Sequence, residues 1–151
     1  MIDRVSQTTR SRIMASVKRS DTKPEMALRK ALHREGFRYR LHDKLLPGKP
    51  DIVLPRHRAA IFVHGCFWHR HEGCTACTTP ASNVEYWIRK FDDNVARDAR
   101  SLKLLLELGW RVAVVWECGL RPKTIDLTIS ALKIWLPTKS GVLELPQDVA
   151  A

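Results

Sequence analysis

The sequence lacks a long hydrophobic run and a secretory leader. No apolar stretch approaches the ~18 residues that a membrane-spanning helix needs. The first twenty residues are polar and basic, without the apolar segment of a signal peptide. These absences argue against a membrane protein and a secreted protein, so we expect a cytoplasmic protein with no membrane contact.

Internal repeats and low-complexity segments are also absent from the 151 residues. A chain of this length typically buries roughly two-thirds of its unfolded surface, so one domain can form a core without disulfides. We therefore expect a basic N-terminal arm at 1–20, one folded domain at 21–137 and a C-terminal tail at 138–151.

Acidic residues are scarce relative to basic ones. The chain has 26 Lys and Arg against 16 Asp and Glu, which gives a formal net charge of +10. Basic side chains neutralise phosphates and release counterions, so a nucleic acid is a reasonable partner. Net charge alone is weak evidence for nucleic-acid binding. It counts for more if the sequence also contains a catalytic site or a site that recognises bases.

Apolar periodicity and turn residues predict an α/β domain with a mixed sheet between helices. A capping box formed by Thr22 and Glu25 begins the first helix, and Gly36 ends it. The later predicted elements are strands at 37–41, 51–54, 60–63 and 111–116, and helices at 84–108 and 123–135.

The strands at 51–54 and 60–63 form a predicted antiparallel hairpin. In such a hairpin the residue numbers of each facing pair add up to the same value, here about 114, give or take two. Asp51 therefore lies opposite Val63 or His64. Asp51 could then be a hard oxygen ligand of a divalent metal, beside a backbone carbonyl. Alternatively, Asp51 merely ends the preceding turn of Pro47 to Pro50.

Asp98 lies on the apolar face of the predicted helix at 84–108. It shares that face with Phe91, Val95, Leu102 and Leu105, at steps of three and four. An unpaired carboxylate is costly there, so Asp98 needs a partner. A histidine would make the pair a general base, and one of the many arginines would make it a structural salt bridge.

A loop at 64–77 holds three of the six histidines and three of the four cysteines. With distant Cys118 it can supply four ligands for tetrahedral zinc. One possible set is Cys66, His71, Cys74 and Cys118. In the other, Cys77 replaces His71, and the Cys74-x-x-Cys77 spacing taken alone favours that set. Free buried thiols are the third interpretation.

Two large aromatic residues, Phe67 and Trp68, lie inside this polar loop. They could fill the core, or form an exposed wedge that enters a base stack. Trp87, near the start of the helix at 84–108, could join them.

Five segments together form a highly specific pattern. They are Pro47-Gly48-x-Pro50-Asp51, Val63-His64-Gly65-Cys66-Phe67-Trp68-His69-x-His71, Glu85-Tyr86-Trp87, Asn94-x-x-x-Asp98 and Gly109-Trp110-Arg111-Val112…Val115-Trp116-Glu117-Cys118. This pattern resembles the very-short-patch-repair (Vsr) DNA mismatch endonucleases of bacteria. The resemblance extends from the basic arm to Cys118 and fades in the tail.

The resemblance implies a three-layer α/β/α fold similar to type II restriction endonucleases, with a structural zinc site. It implies a DNA-repair enzyme that nicks 5′ of the thymine in T·G mismatches left by 5-methylcytosine deamination, by Mg²⁺-dependent hydrolysis. The implied partners are double-stranded mismatched DNA and mismatch-repair proteins, and a monomer suits a one-strand nick. The alternatives are a non-enzymatic zinc-containing DNA-binding module and a restriction-like nuclease that cuts matched duplex.

The resemblance also implies roles for individual residues. The catalytic set is Asp51, His64, His69, Asp98 and Glu25, with Asp51 and the Val63 carbonyl as magnesium ligands and Asp98 paired with the base His69. The zinc set is Cys66, His71, Cys74 and Cys118, with Cys77 as an extra candidate. The DNA-contacting set is Phe67, Trp68, Trp87, Lys90 and Asn94. Phe62-Val63-His64 replaces the usual Glu-x-Lys of restriction nucleases, so histidines must do what lysine does there.

Overall fold

The computed structural model describes residues 21–147, so the expected basic arm at 1–20 lies outside the described residues. The helices are α1 (Lys23–Arg34), α2 (Val84–Glu107) and α3 (Ile125–Trp135). The strands are β1 (Arg40–Leu41), β2 (Ile52–Leu54), β3 (Ala59–His64), β4 (Arg111–Trp116) and β5 (Val142–Leu145). Short 3₁₀ turns at Pro55–His57 and Glu117–Leu120 follow β2 and β4. Within residues 21–147 no helix combines the length and apolar character needed to cross a membrane.

The five strands form one mixed sheet in the order β1-β2-β3-β4-β5. β1, β2 and β3 pair antiparallel, whereas β3, β4 and β5 run parallel. Parallel neighbours need long crossovers, and α2 and α3 occupy the two connections. The predicted mixed sheet is confirmed.

The helices cover both faces of the sheet, which gives the expected three layers. α2 packs on one face, where Leu105 joins Ala60, Phe62 and Val112 in a small core. α1 and α3 pack on the other face around a larger core. That core includes Leu28, Leu32, Ile52, Leu54, Ile61, Ala113, Val115, Ile129 and Leu132. Successive residues of β3 and β4 alternate between the two cores, as the pleat of a buried strand requires.

The hairpin register agrees with the sequence prediction. Ile52 pairs with Ile61, a partner sum of 52 + 61 = 113. Asp51 comes one residue earlier, and its Oδ2 accepts a 2.7 Å hydrogen bond from the backbone N–H of Val63. The carboxylate that opens β2 thus contacts the end of β3.

Three sequence expectations need correction. Residues 142–145 of the expected tail form β5, because its main chain pairs with β4 at the sheet edge. Of the strand expected at 37–41, only Arg40 and Leu41 pair with β2. On α2, Asn94 is buried, whereas Val95 is 47% exposed because it faces a cavity.

Candidate active site and metal centre

The cavity between α2 and the sheet has a volume of about 690 Å³ and collects most of the expected catalytic residues. Its lining includes Asp51, His64, His69 and Asp98. These four residues come from the start of β2, the end of β3, the Cys/His loop and α2. The fold therefore brings together residues that are far apart in sequence, as the hairpin and the α2 periodicity predict.

A tight turn places Asp51 against α2. Gly48 has a φ of +76°, and a Cβ there would lie 2.7 Å from the Cβ of Ser101. Only glycine fits both this backbone conformation and this approach. The turn before β2 therefore packs directly on α2, and Asp51 faces the same cavity as Asp98.

Burial disfavours the charged form of Asp51. It raises the pKa of this carboxyl to about 7, against the lowering effect of the Val63 N–H, and the neighbouring Glu25 carboxyl raises the pKa further. Asp51 lies on the cavity and Glu25 is next to it. A divalent cation offsets the repulsion between two such carboxylates and accepts their oxygens as ligands. The residues present therefore fit a hard metal ion.

Glu25 is a structural cap and a neighbour of this site at once. It is 2% exposed and lies in the first turn of α1, where Thr22 caps its backbone N–H. Its carboxylate accepts hydrogen bonds from the backbone N–H of Asp21 at 2.8 Å and from Arg29 at 3.4 Å. Nε2 of His42 lies 3.1 Å from each of its oxygens. Glu25 thus neighbours Asp51 without lining the cavity, and His42 is an additional partner.

His69 and Asp98 form the expected imidazole–carboxylate pair. Nδ1 of His69 lies 2.6 Å from Oδ2 of Asp98. This contact fixes the ring and leaves Nε2 available for proton transfer. The ring of His64 is stacked on that of His69, with centroids 3.9 Å apart and planes 5° apart.

His64 is a neutral imidazole in this setting. It is 7% exposed, and burial lowers its pKa to about 3. The neighbouring His69 lowers the pKa further, while Asp98 partly opposes that effect. A neutral imidazole can donate or accept a hydrogen bond but carries no charge.

Cys66, His71, Cys74 and Cys118 form a second cluster, with one donor atom of each within 4.8 Å of the others. Nδ1 of His71 lies 3.5 Å from the sulfur of Cys66 and 3.5 Å from that of Cys118. Bonds of about 2.3 Å to sulfur and about 2.05 Å to nitrogen put the two atoms about 3.6 Å apart around a tetrahedral ion. The geometry therefore fits a metal ion.

The ionisation of the cluster agrees with a metal site. Burial raises the pKa of Cys66 to about 12 and also raises that of Cys118. Without a cation these thiols keep their protons, and a bound ion would replace them. His71 has a pKa lowered by burial, which favours the neutral ligand form. Within the described residues Cys77 lies outside this cluster, so the structure favours the set with His71.

Beside the cavity, Phe67 and Trp68 form an aromatic cluster with Trp87 and Phe91. Phe67 packs edge-on against Trp68 and Phe91, with centroids 5.0 and 5.2 Å apart. The guanidinium of Arg70 lies 3.9 Å above the Phe91 ring and bonds to the carbonyls of Phe67 and Thr78. Arg70 thereby ties the loop to α2.

The structure separates the expected DNA-contacting residues into two groups. Phe67, Trp68 and Lys90 are half-buried, so part of each side chain can be reached. Trp87 is 2% exposed inside the aromatic cluster, and Asn94 is 8% exposed and donates to the carbonyl of Trp68. Direct DNA contact by these two would require the cluster to open.

Sequence reasoning missed several cavity residues. Lys49 and Arg97 supply positive charge, and Trp116 and Glu144 lie on the same wall as His64. Trp116 belongs to the family-like motif, but its spacing indicated no role in a site. Glu144 lies in the segment expected to be a tail, where no local signal points to a cavity.

Comparison with known proteins places these features in a family. The family profile described as DNA mismatch endonuclease Vsr matches residues 2–75. The chain is 41% identical over 139 residues to the DNA mismatch endonuclease Vsr of Escherichia coli (strain K12), covering 90% of this chain and 88% of that protein. It is 51% identical over 120 residues to the type II nicking enzyme V.XorIIP of Xanthomonas oryzae pv. oryzae, covering 80% and 88%. Over 125 residues it is 42% identical to the type II nicking enzyme V.NmeAIP of Neisseria meningitidis serogroup A, covering 83% and 89%. The chain therefore belongs to the Vsr family of DNA mismatch endonucleases and is a DNA-repair hydrolase.

Proposed function

We propose that this endonuclease nicks one strand 5′ of the thymine in T·G mismatches left by 5-methylcytosine deamination, by Mg²⁺-dependent hydrolysis. One observation carries the chemistry. Asp51, His64 and the His69–Asp98 pair line a single cavity, although they come from four different segments. A monomer suits the reaction, because one such cavity serves one strand, and mismatch-repair proteins are the further partners we expect.

The carboxylate of Asp51 and the carbonyl of Val63 would hold the magnesium ion. When bound there, the ion would neutralise charge on the scissile phosphate and make water more acidic. The hydrogen bond from the Val63 N–H fixes the Asp51 carboxylate against the end of β3. Glu25, tied to Arg29 and His42, would support Asp51 from the edge of the site.

His69 would act as the general base. Its Nδ1 is held by Asp98, so Nε2 can take a proton from the attacking water as the oxygen approaches phosphorus. Asp98 would stabilise the resulting imidazolium by its negative charge. His64, stacked on His69, would orient the water and phosphate as a neutral hydrogen-bonding group.

Zinc is the ion we propose for the Cys/His cluster. Three thiol sulfurs and one imidazole nitrogen are a typical structural zinc set, and the N–S distances of 3.5 Å match a tetrahedral ion. The bound ion would close the loop that carries His69 onto the end of β4. Metal analysis of the purified protein should find about one zinc per chain.

Mismatch selection would come from the half-buried aromatic pair Phe67 and Trp68. Opening a base step costs a few kcal/mol, and a mispaired step costs less than a matched one. Phe67 and Trp68 lie in the loop that also carries His69, so a wedge at the mismatch would bring the cavity to the neighbouring phosphate.

End-labelled duplexes test the proposal. A T·G duplex should be nicked in Mg²⁺, on the thymine strand and 5′ of the thymine, and left intact when Mg²⁺ is omitted. A matched duplex in the same gel should stay uncut. Double-strand cleavage of the matched duplex would instead indicate a restriction-like nuclease, and equal nicking of every mismatch would contradict T·G specificity.

A further inference from the structure

β5 contributes a side chain to the cavity that the proposed reaction does not yet use. Glu144 lines the cavity together with His64 and Trp116. Its Oε1 accepts a 2.7 Å hydrogen bond from the indole Nε1–H of Trp116. The parallel register places Glu144 beside Val114, two residues before Trp116. The edge strand thus reaches the site through a polar contact.

Trp116 in turn contacts one histidine of the cavity and one histidine of the Cys/His cluster. Its ring packs edge-on against His64, with centroids 5.3 Å apart and planes 73° apart. It also lies parallel to His71 of the metal cluster, at 4.3 Å and 4°. Because His64 is stacked on His69, the buried indole and His69 contact the His64 ring from two directions. Any rotation of Trp116 would therefore change the position of His64.

We propose that Glu144 is a positioning residue, whose hydrogen bond to Trp116 holds His64 in the orientation that nicking requires. The inference rests on the catalytic role proposed for His64. An indole can tilt within its packing when its N–H has no acceptor, and a displacement of about 1 Å at a reacting centre can cost roughly 10²-fold in rate. The contacts join β5 to the reaction through Trp116, His64 and His69 in turn.

Two substitutions at residue 144 separate hydrogen bonding from charge. Glu144→Gln keeps an oxygen acceptor for the indole, whereas Glu144→Ala removes it. Glu144 is exposed, so neither change leaves a hole in the core. We expect Glu144→Ala to lower kcat on a T·G duplex about tenfold, with KM within about twofold, and Glu144→Gln to retain most of the rate. An equal loss in both variants would overturn the inference, because the carboxylate would then act through its charge.

A double-mutant cycle tests whether Glu144 acts through Trp116. Trp116→Phe keeps an aromatic ring between His64 and His71 but removes the indole N–H. In that background Glu144→Ala should cause no further loss of kcat, since the bond it would break is already absent. Full additivity of the two losses would contradict the proposed route.

The indole N–H resonance gives a readout other than activity. Trp116→Phe identifies the Trp116 signal by its disappearance from the proton–nitrogen spectrum. That signal should shift in Glu144→Ala and stay near its original position in Glu144→Gln, and an unmoved signal in Glu144→Ala would overturn the inference. Val142→Ala changes an exposed residue of the same strand, and it controls for a general loss of β5 stability. This variant should nick normally.

Two further measurements make the failures distinguishable. If His64→Ala nicks as fast as the wild type, the role proposed for His64 fails. If His64→Ala is inactive but Glu144→Ala is fully active, the positioning inference alone fails. Zinc content should be unchanged in Glu144→Ala, and loss of the metal would show that Glu144 acts through His71 instead.

Discussion

Among the individual residues, Asp51 shows most clearly how the fold creates a metal site. A folded-state pKa of about 7, well above the usual value for an aspartate, means that the folded metal-free protein keeps a proton that the unfolded chain releases. The unfolded chain therefore binds fewer protons between about pH 4 and pH 7, so metal-free stability falls as the pH rises through that window. The same burial prepares the carboxylate for a cation.

This linkage gives a prediction for metal addition. Mg²⁺ should raise the melting temperature more at pH 8 than at pH 5, because at pH 5 a proton must first leave Asp51. Asp51→Asn should remove the pH dependence of the Mg²⁺ effect and, without added Mg²⁺ at pH 8, should melt above the wild type. Calorimetry at the two pH values checks both points. An equal Mg²⁺ response of wild type and Asp51→Asn would place the ion elsewhere.

The His69–Asp98 pair leads to a kinetic prediction. His69→Ala should lower the nicking rate about 10²- to 10⁴-fold, the usual contribution of a general base. It should also change the pH dependence of the rate, because a general base acts only in its unprotonated form. Single-turnover rates from pH 5 to pH 9 measure both effects. His33→Ala, an exposed histidine on α1, is the matched control. An unchanged pH profile in His69→Ala would rule out His69 as the base.

At the level of secondary structure, local signals were enough for some elements and not for others. The capped α1, the β2–β3 hairpin and the strongly apolar β4 follow from short-range patterns, and the hairpin sum predicted the Asp51–Val63 contact. β5 has the sequence Val-Leu-Glu-Leu, and it owes its form to pairing with β4. Four residues are too few for their apolar pattern alone to predict a strand, so this element depends on the long-range contact.

The site residues likewise divide into those that local patterns predict and those that depend on long-range contacts. Asp98 could be predicted to have a partner, because a carboxylate on an apolar helix face needs one. The burial of Trp87 and Asn94 could not, because it depends on how an irregular loop folds back on α2. The Cys74-x-x-Cys77 spacing likewise misdirects, since the backbone brings Cys74 and His71 together with Cys118.

The Cys/His loop as a unit leads to a prediction about selectivity. Trp68→Ala should reduce the ratio of T·G to matched-duplex binding about tenfold, because the half-buried ring would no longer stabilise an opened mismatched step. Binding titrations with the two duplexes give the ratio. Leu127→Ala, an exposed change on α3, serves as the control. Equal weakening on both duplexes would indicate that Trp68 only packs the loop.

For the whole molecule, the net charge of +10 predicts that duplex binding weakens as the salt concentration rises. If about six phosphates are contacted, the affinity for a duplex should fall about 10³-fold between ~50 and ~200 mM salt. Lys49→Gln, which removes a cation from the cavity rim, should make this dependence less steep by about one contact. Lys133 pairs with Glu35 away from the cavity, so Lys133→Gln should leave the salt dependence unchanged. A flat response to salt would contradict extensive phosphate contact.

The convergence of Asp51 with the two histidines is the central claim, and the single-turnover nicking rate of Asp51→Asn on a T·G duplex tests it most directly. Asparagine keeps the shape of the side chain but loses the charge that holds a cation. The account predicts a rate at least about 10³-fold below that of the wild type in Mg²⁺, with the dissociation constant for the same duplex unchanged within about threefold. A variant that binds and nicks at the wild-type rate would contradict it.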